Sequence, residues 1–150
     1  MRRPCENVKE VNLVEVIKWL SIADRYTKMY LDRCLAPLGL NGSQYMYVLK
    51  ICENPGITQD SFFGFFYVNP SNITRALAVL EKEGYVRKDI NPLDKRTCRL
   101  YPTARAVDAY GKIRTIIANW ETQMLSDMPP EALEAFNSRL RSLAQKSMEL

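Results

Sequence analysis

The side chains in this chain with the most to offer chemically are cationic. Between Gly84 and Arg105 stand Arg87, Lys88, Lys95, Arg96, Arg99 and Arg105 against only two acids, Asp89 and Asp94, a local charge of +4. The whole chain also sums to +4, so the remainder is balanced and the excess sits here. Such a cluster is either a solvated face or a contact for a polyanion, and its structural setting decides between them. The other reactive types argue by omission. No histidine occurs among the 150 residues, which removes a His-based triad and the commonest general base near neutral pH. Cys5, Cys34, Cys52 and Cys98 show no CxxC or other ligand spacing, so a zinc site would have to gather scattered thiolates or carboxylates. No nucleophile stands beside a base. The sequence therefore predicts no catalytic residues, no metal and no cofactor, and a small enzyme is the weakest of the function classes.

With 47% apolar and 25% charged residues, the composition is that of a globular chain long enough for one core, and residues 1–150 read as a single domain. The longest apolar run, Phe62 to Val68, is seven residues including Gly64, far short of the roughly 20 needed to cross a bilayer. Arg2 and Arg3 are followed by Glu6, Asn7, Lys9 and Glu10 rather than an apolar stretch, so a cytoplasmic location with no membrane partner is expected.

The elements that must position the cations follow from period and punctuation. Asn12 as N-cap, with Glu15 three residues on, opens a long helix that Pro37 and Gly39 end. Its stripe of Leu13, Val16, Ile17, Leu20, Ala23, Tyr30 and Leu31 is widened by Val14, Trp19, Ile22, Tyr26 and Met29, an apolar surface broad enough for contact on two sides. Ser43 caps a second helix with Tyr45, Val48, Leu49 and Cys52 inward, and Asn54-Pro55-Gly56 stops it. A third begins near Thr58 and breaks at Tyr67-Val68-Asn69. Asn69 as cap and Pro70 at the first position start a fourth, which Gly84 closes. The period then changes to two: Tyr85 to Ile90, a turn at Asn91-Pro92-Leu93-Asp94, and Thr97 to Tyr101 form a hairpin with a charged tip. Thr103 caps a helix to about Leu125, and Pro129-Pro130-Glu131 opens a last one with Leu133, Phe136, Leu140 and Leu143 on one face.

That order predicts a mainly α (α+β) fold, a winged helix-turn-helix over 43–101 flanked by terminal helices over 11–36 and 103–148. In such a unit the helix after the turn enters the major groove of DNA and the hairpin lies on the backbone or reaches into the minor groove. In the fourth helix Ile73, Leu77 and Leu80 share one face. At about 100° per residue the opposite face carries Ser71, Arg75, Ala78 and Lys82, with Asn72 and Thr74 on its flanks. Short donors and one guanidinium reach base edges and phosphates without bulk.

The ordered series Leu38-Gly39-Leu40, Pro55-Gly56-x-Thr58-Gln59, Thr74-Arg75, Leu80-Glu81-x-x-Gly84-x-Val86 and Pro92-x-Asp94-Lys95-Arg96 resembles the MarR family of bacterial winged-helix transcription regulators. The similarity runs from about Leu13 to Leu143. It implies a homodimer built from the first and last helices and bound to a pseudo-palindromic, double-stranded DNA operator. The function it implies is a repressor released by a small aromatic or anionic effector. It also implies that Arg96 enters or borders the minor groove and that Asp94 pairs with an arginine to hold the wing. Arg87, Lys88, Lys95 and Arg99 are assigned to phosphates, and Asn69 joins the contact set at the head of the fourth helix.

Departures from the family pattern cluster in the third helix, where Phe62-Phe63-Gly64-Phe65-Phe66-Tyr67 replaces Leu-Ala, charged positions and a Leu-Gly turn. Phe63 stands for a small packed residue, Phe65 for an exposed polar one, and Tyr67 for the turn glycine. These rings are either a repacked core with an exposed edge or the cover of an apolar ligand or partner. The alternative function is accordingly a winged-helix protein-interaction module using this helix. Pro102-Thr103-x-x-Ala106 also replaces the more usual Leu-Thr-x-x-Gly at the junction after the wing. For regulation, Trp19, Tyr26, Tyr30 and Tyr45 either line an effector pocket or are core. Thiol sensing has little support: Cys5 follows two arginines, but no cysteine lies in the first helix before Cys34, and Cys34, Cys52 and Cys98 are expected to pack.

Overall fold

A long amphipathic segment followed by Pro and Gly does what those residues dictate: in this computed structural model, which describes residues 13–94 and 97–150, α1 spans Leu13–Leu35. The expected Asn12 cap lies outside the described residues; Glu15 accepts a hydrogen bond from Trp19 Nε1 at 2.8 Å. A single 3-10 turn, Ala36–Leu38, leads to Gly39 at φ 70°, where the left-handed backbone and the Arg105 side chain 3.2 Å from a built Cβ both favour glycine.

Helix α2 (Tyr45–Glu53) starts later than its expected Ser43 cap, and no side chain caps it. Asn41 Oδ1 accepts from the Ser43 N–H at 2.9 Å and Gln44 Oε1 from the Asn41 N–H at 3.1 Å, and the Tyr45 N–H, within reach of a Ser43 cap, goes to the Asn41 carbonyl at 3.4 Å. The buried face of α2 is Tyr47, Val48 and Ile51, with Tyr45, Leu49 and Cys52 half-buried at its flanks. It is wider than one stripe because α2 packs on both the sheet and the helix after it.

The third element divides. Ile57–Thr58 is a short strand, β1, and α3 is Ser61–Phe66. The expected helix start near Thr58 is therefore three residues early. A two-residue strand has no period to display, and only its partner defines it. Helix α4 is Pro70–Lys82, with the Asn69 side chain capping and Gly84 at φ 77° beyond its end. The hairpin is β2 (Val86–Ile90) and β3 (Cys98–Pro102), the first starting one residue later than expected and the second shifted one residue later at both ends. Sheet order is β1-β3-β2, all antiparallel, with Ile57 opposite Leu100, Lys88 opposite Leu100 and Asp89 opposite Arg99. Thr103 caps α5 (Ala104–Leu125), accepting from the Ala106 N–H at 3.2 Å, and α6 is Pro130–Ser147.

The core gathers Leu35, Val48, Ile51, Phe62, Leu77, Leu80, Tyr85, Leu100 and Ile113. It joins the end of α1, the helices α2 to α4, the sheet and the first half of α5. Away from it the chain leaves apolar surface open. No residue of α6 is buried, and Phe136, Leu140 and Leu143 on its apolar face are exposed. On α1, Val16, Ile17, Trp19, Leu20, Tyr26 and Met29 are exposed as well. Among the described residues no helix is long and apolar enough to cross a membrane.

Candidate nucleic-acid interface

The head of α4 is built by its cap. Asn69 Oδ1 accepts from the Ser71 N–H at 2.9 Å and from the Ser71 hydroxyl at 2.7 Å, while Pro70 occupies a position where an N–H has no helical partner. Ile73, Leu77 and Leu80 are buried beneath the helix, and Ser71, Asn72, Thr74, Arg75, Ala78 and Lys82 are exposed above it. The face expected from the helical wheel is the one turned to solvent. Its members are not loose. The Arg75 guanidinium donates to Asn72 Oδ1. The Thr74 hydroxyl donates to the Pro70 carbonyl at 3.0 Å and accepts from Gln59 Nε2 at 3.0 Å. Gln59, which the sequence marked only as the end of the Pro55-Gly56-x-Thr58-Gln59 motif, also donates its backbone N–H to the Cys98 carbonyl at 3.1 Å.

The hairpin carries the remaining cations. Arg87 lies 4.6 Å from the centre of the Tyr101 ring, a cross-strand neighbour, and is exposed. Arg99 Nη1 donates to the Gly56 carbonyl at 3.1 Å, which fastens β3 to the turn before β1. Lys88 is half-buried. At the tip, Asp94 Oδ2 accepts from the Thr97 hydroxyl at 3.0 Å and the Asp94 carbonyl accepts from the Thr97 N–H at 3.1 Å, closing the loop. Lys95 and Arg96 lie outside the described residues, and with them the expected arginine at the wing tip.

Arg105 separates from its cluster. Its guanidinium stacks 4.5 Å from the Tyr85 ring centre and donates to the Glu83 and Leu38 carbonyls, so it braces the fold. A cation in the first turn of a helix opposes the helix dipole, and that conflict was the available sign that this arginine serves carbonyls rather than a ligand.

The four aromatic residues expected at an effector pocket divide. Trp19 and Tyr26 on α1 are more than half exposed, whereas Tyr30 and Tyr45 pack against the edge of the core. Burial pushes the Tyr45 phenol up, and a hydrogen bond with Cys34, followed by burial, does so for Tyr30. Burial likewise raises the thiols of Cys52 and Cys98, which holds them protonated. A cleft that the sequence did not announce, of about 350 Å³, lies between Lys28 of α1, Met46 and Tyr47 of α2, Phe66 of α3, and Asn72 and Ala76 of α4.

Comparison with known proteins fits this geometry. A model of the MarR family matches residues 40–98, from the turn before α2 to the start of β3. The HTH-type transcriptional regulator BilQ of Clostridioides difficile (strain CD3) is 30% identical over 97 residues, 65% of this chain and 66% of that regulator. This chain belongs to the MarR family. A crystal structure of MarR, 28% identical, shares the fold with a TM-score of 0.71 over 90% of this chain and 98% of that one. A MarR family regulator from Listeria monocytogenes, complexed with 26mer DNA and 22% identical, gives a TM-score of 0.78 over 87% of each chain. The resemblance drawn from the motifs and the winged helix-turn-helix with its flanking helices are both borne out.

Proposed function

We propose that this MarR-family protein is a sequence-specific, DNA-binding repressor that acts in the cytoplasm as a homodimer and leaves its operator when a small aromatic or anionic molecule binds. The carrying observation is the helix α4, buried through Ile73, Leu77 and Leu80 and solvent-facing through Ser71, Asn72, Thr74, Arg75, Ala78 and Lys82. With α4 in the major groove, Arg75 reads a base edge and Asn69, Ser71 and Lys82 hold phosphates, while Arg87, Lys88, Arg99 and the wing-tip residues Asp94, Lys95 and Arg96 follow the backbone into the minor groove. Two copies joined through the open apolar faces of α1 and α6 present two such helices about one DNA turn, ~34–36 Å, apart.

The relatives support this reading by name, as HTH-type transcriptional regulators, and two structural neighbours are complexed with DNA. Release is supported by the cleft beneath α4: a ligand beside Lys28 and Tyr47 also meets Asn72, the acceptor of the Arg75 guanidinium. Displacing Asn72 redirects the base-reading side chain. Selection of bound duplexes from a random pool, repeated with a panel of aromatic acids, tests both halves. A pseudo-palindrome with half-sites one turn apart, lost in the presence of one acid, is the expected result; an unenriched pool contradicts DNA recognition.

A protein-contact role for α3 is the second reading, favoured by the exposure of Phe63, Phe65 and Tyr67. It predicts that Phe65→Asp abolishes partner binding while Arg75→Ala changes nothing.

A further inference from the structure

Three observations meet at the joint between α3 and α4. Tyr67 closes α3 in the left-handed region, φ 52° and ψ 33°, the one non-glycine residue with positive φ among the described residues. A tyrosine there carries a steric cost that glycine escapes. Nothing inside the fold offsets it. Tyr67 is 56% exposed, its ring meets one other ring, the edge of Phe63 at 6.4 Å and 70°, and Phe63 is itself 53% exposed. Among the described residues the Tyr67 hydroxyl has no hydrogen-bond partner. The third observation is the place of the pair. Phe63 lines a cleft of about 340 Å³ with Pro70, Ile73 and Thr74 at the first turns of α4, and Tyr67, whose ring meets that of Phe63, stands two residues before the Asn69 cap.

We propose that Tyr67 is a phosphate-contacting residue of the DNA interface, its hydroxyl donating to a backbone oxygen at the edge of the groove that α4 enters, with Phe63 fixing the ring. This rests on the DNA-binding function proposed above. Left-handed backbone and the Phe63 edge restrict the ring, so the phenol is aimed before binding, and tyrosine hydroxyls are regular phosphate donors. Being neutral, the donor adds affinity without displacing a counterion, unlike the cation of Lys82. Strain kept at a surface position with no internal return is then explained by a contact that forms only in the complex.

The test uses the full chain and an operator duplex recovered by selection. Anisotropy titrations of the wild type, Tyr67→Phe, Tyr67→Gly and Lys82→Ala are run between 50 and 200 mM salt, with thermal melts of each protein. Tyr67→Phe is expected to bind about 10- to 100-fold more weakly, the worth of one hydrogen bond in each of two protomers, at every salt concentration and with an unchanged salt slope. Lys82→Ala flattens the slope by about two, one for each protomer. Tyr67→Gly loses at least as much affinity as Tyr67→Phe but melts no lower than the wild type. Wild-type affinity in Tyr67→Phe, or a clear drop in the melting temperature of Tyr67→Gly, overturns the inference. A wild type that binds no duplex overturns the DNA-binding function itself, a different result.

Discussion

The Gln59 side-chain amide donates to the Thr74 hydroxyl at 3.0 Å while the Gln59 backbone N–H donates to the Cys98 carbonyl at 3.1 Å. One residue thus fastens the exposed face of α4 to the strand that carries the wing. If both α4 and the hairpin must meet DNA in fixed relation, this link sets their spacing. Gln59→Ala is expected to cost about 0.5–1.5 kcal/mol of stability in urea unfolding. A double-mutant cycle with Thr74→Ala isolates the coupling between the two side chains. Strict additivity in that cycle would show that the bond carries no energy.

The exposed face of α4 contains side chains of different expected roles, and their variants separate them. Arg75→Ala should weaken operator binding by about 1–3 kcal/mol and relax preference at one base position. Lys82→Ala should weaken all sequences alike and reduce the salt slope by about two, one for each protomer. Competition titrations with single-base operator variants read the difference, and a uniform loss in Arg75→Ala would move that residue from base to phosphate.

The open apolar faces of α1 and α6 predict self-association. Ile17 and Phe136 are exposed in the single chain, and a charge at either would be buried unpaired in a dimer. Sedimentation of the wild type should give a dimer, and Ile17→Asp plus Phe136→Asp should give a monomer that keeps its helical signal. A wild-type monomer at micromolar concentration would contradict the proposed assembly.

The thiols give a pH prediction. Burial comes first among the causes that raise Cys98, and the same holds for Cys52. A thiol raised in the folded state stays protonated where the unfolded chain has already ionised. Its contribution to stability is therefore full below the unfolded thiol pKa and is lost as pH rises through the folded value. In a variant keeping only Cys98, alkylation should be slower in the folded than in the urea-unfolded protein at every pH from neutral to mildly alkaline. Equal rates would mean that the thiol is open, and sensing through it would regain support.

How far the sequence reached follows the range of the forces involved. Asn69-Pro70 and Thr103 marked their helices because a cap is a contact between neighbours in sequence, and Ile73, Leu77 and Leu80 showed their face because α4 has one buried side. The strand β1 depends on Leu100, distant along the chain, and carried no local sign; the Glu83 and Leu38 carbonyls that Arg105 serves are distant too, and only its place in the first turn of α5 hinted at that use. Ser43 did not cap α2 because the chain ahead of the helix forms an Asx turn on Asn41, and which of two good turn and cap formers prevails is not decided by composition. Tyr67 was legible as a replacement for a turn glycine, and its left-handed backbone shows that the turn kept its shape while the residue changed.

The central claim is that this fold grips duplex DNA through cations and polar groups on α4 and the hairpin. Its most direct test is the affinity of the wild type for a selected operator as salt is raised. With about 6–10 phosphate contacts per dimer, binding should weaken by about 10³- to 10⁵-fold between 50 and 200 mM salt. An affinity that stays flat across that range would contradict it.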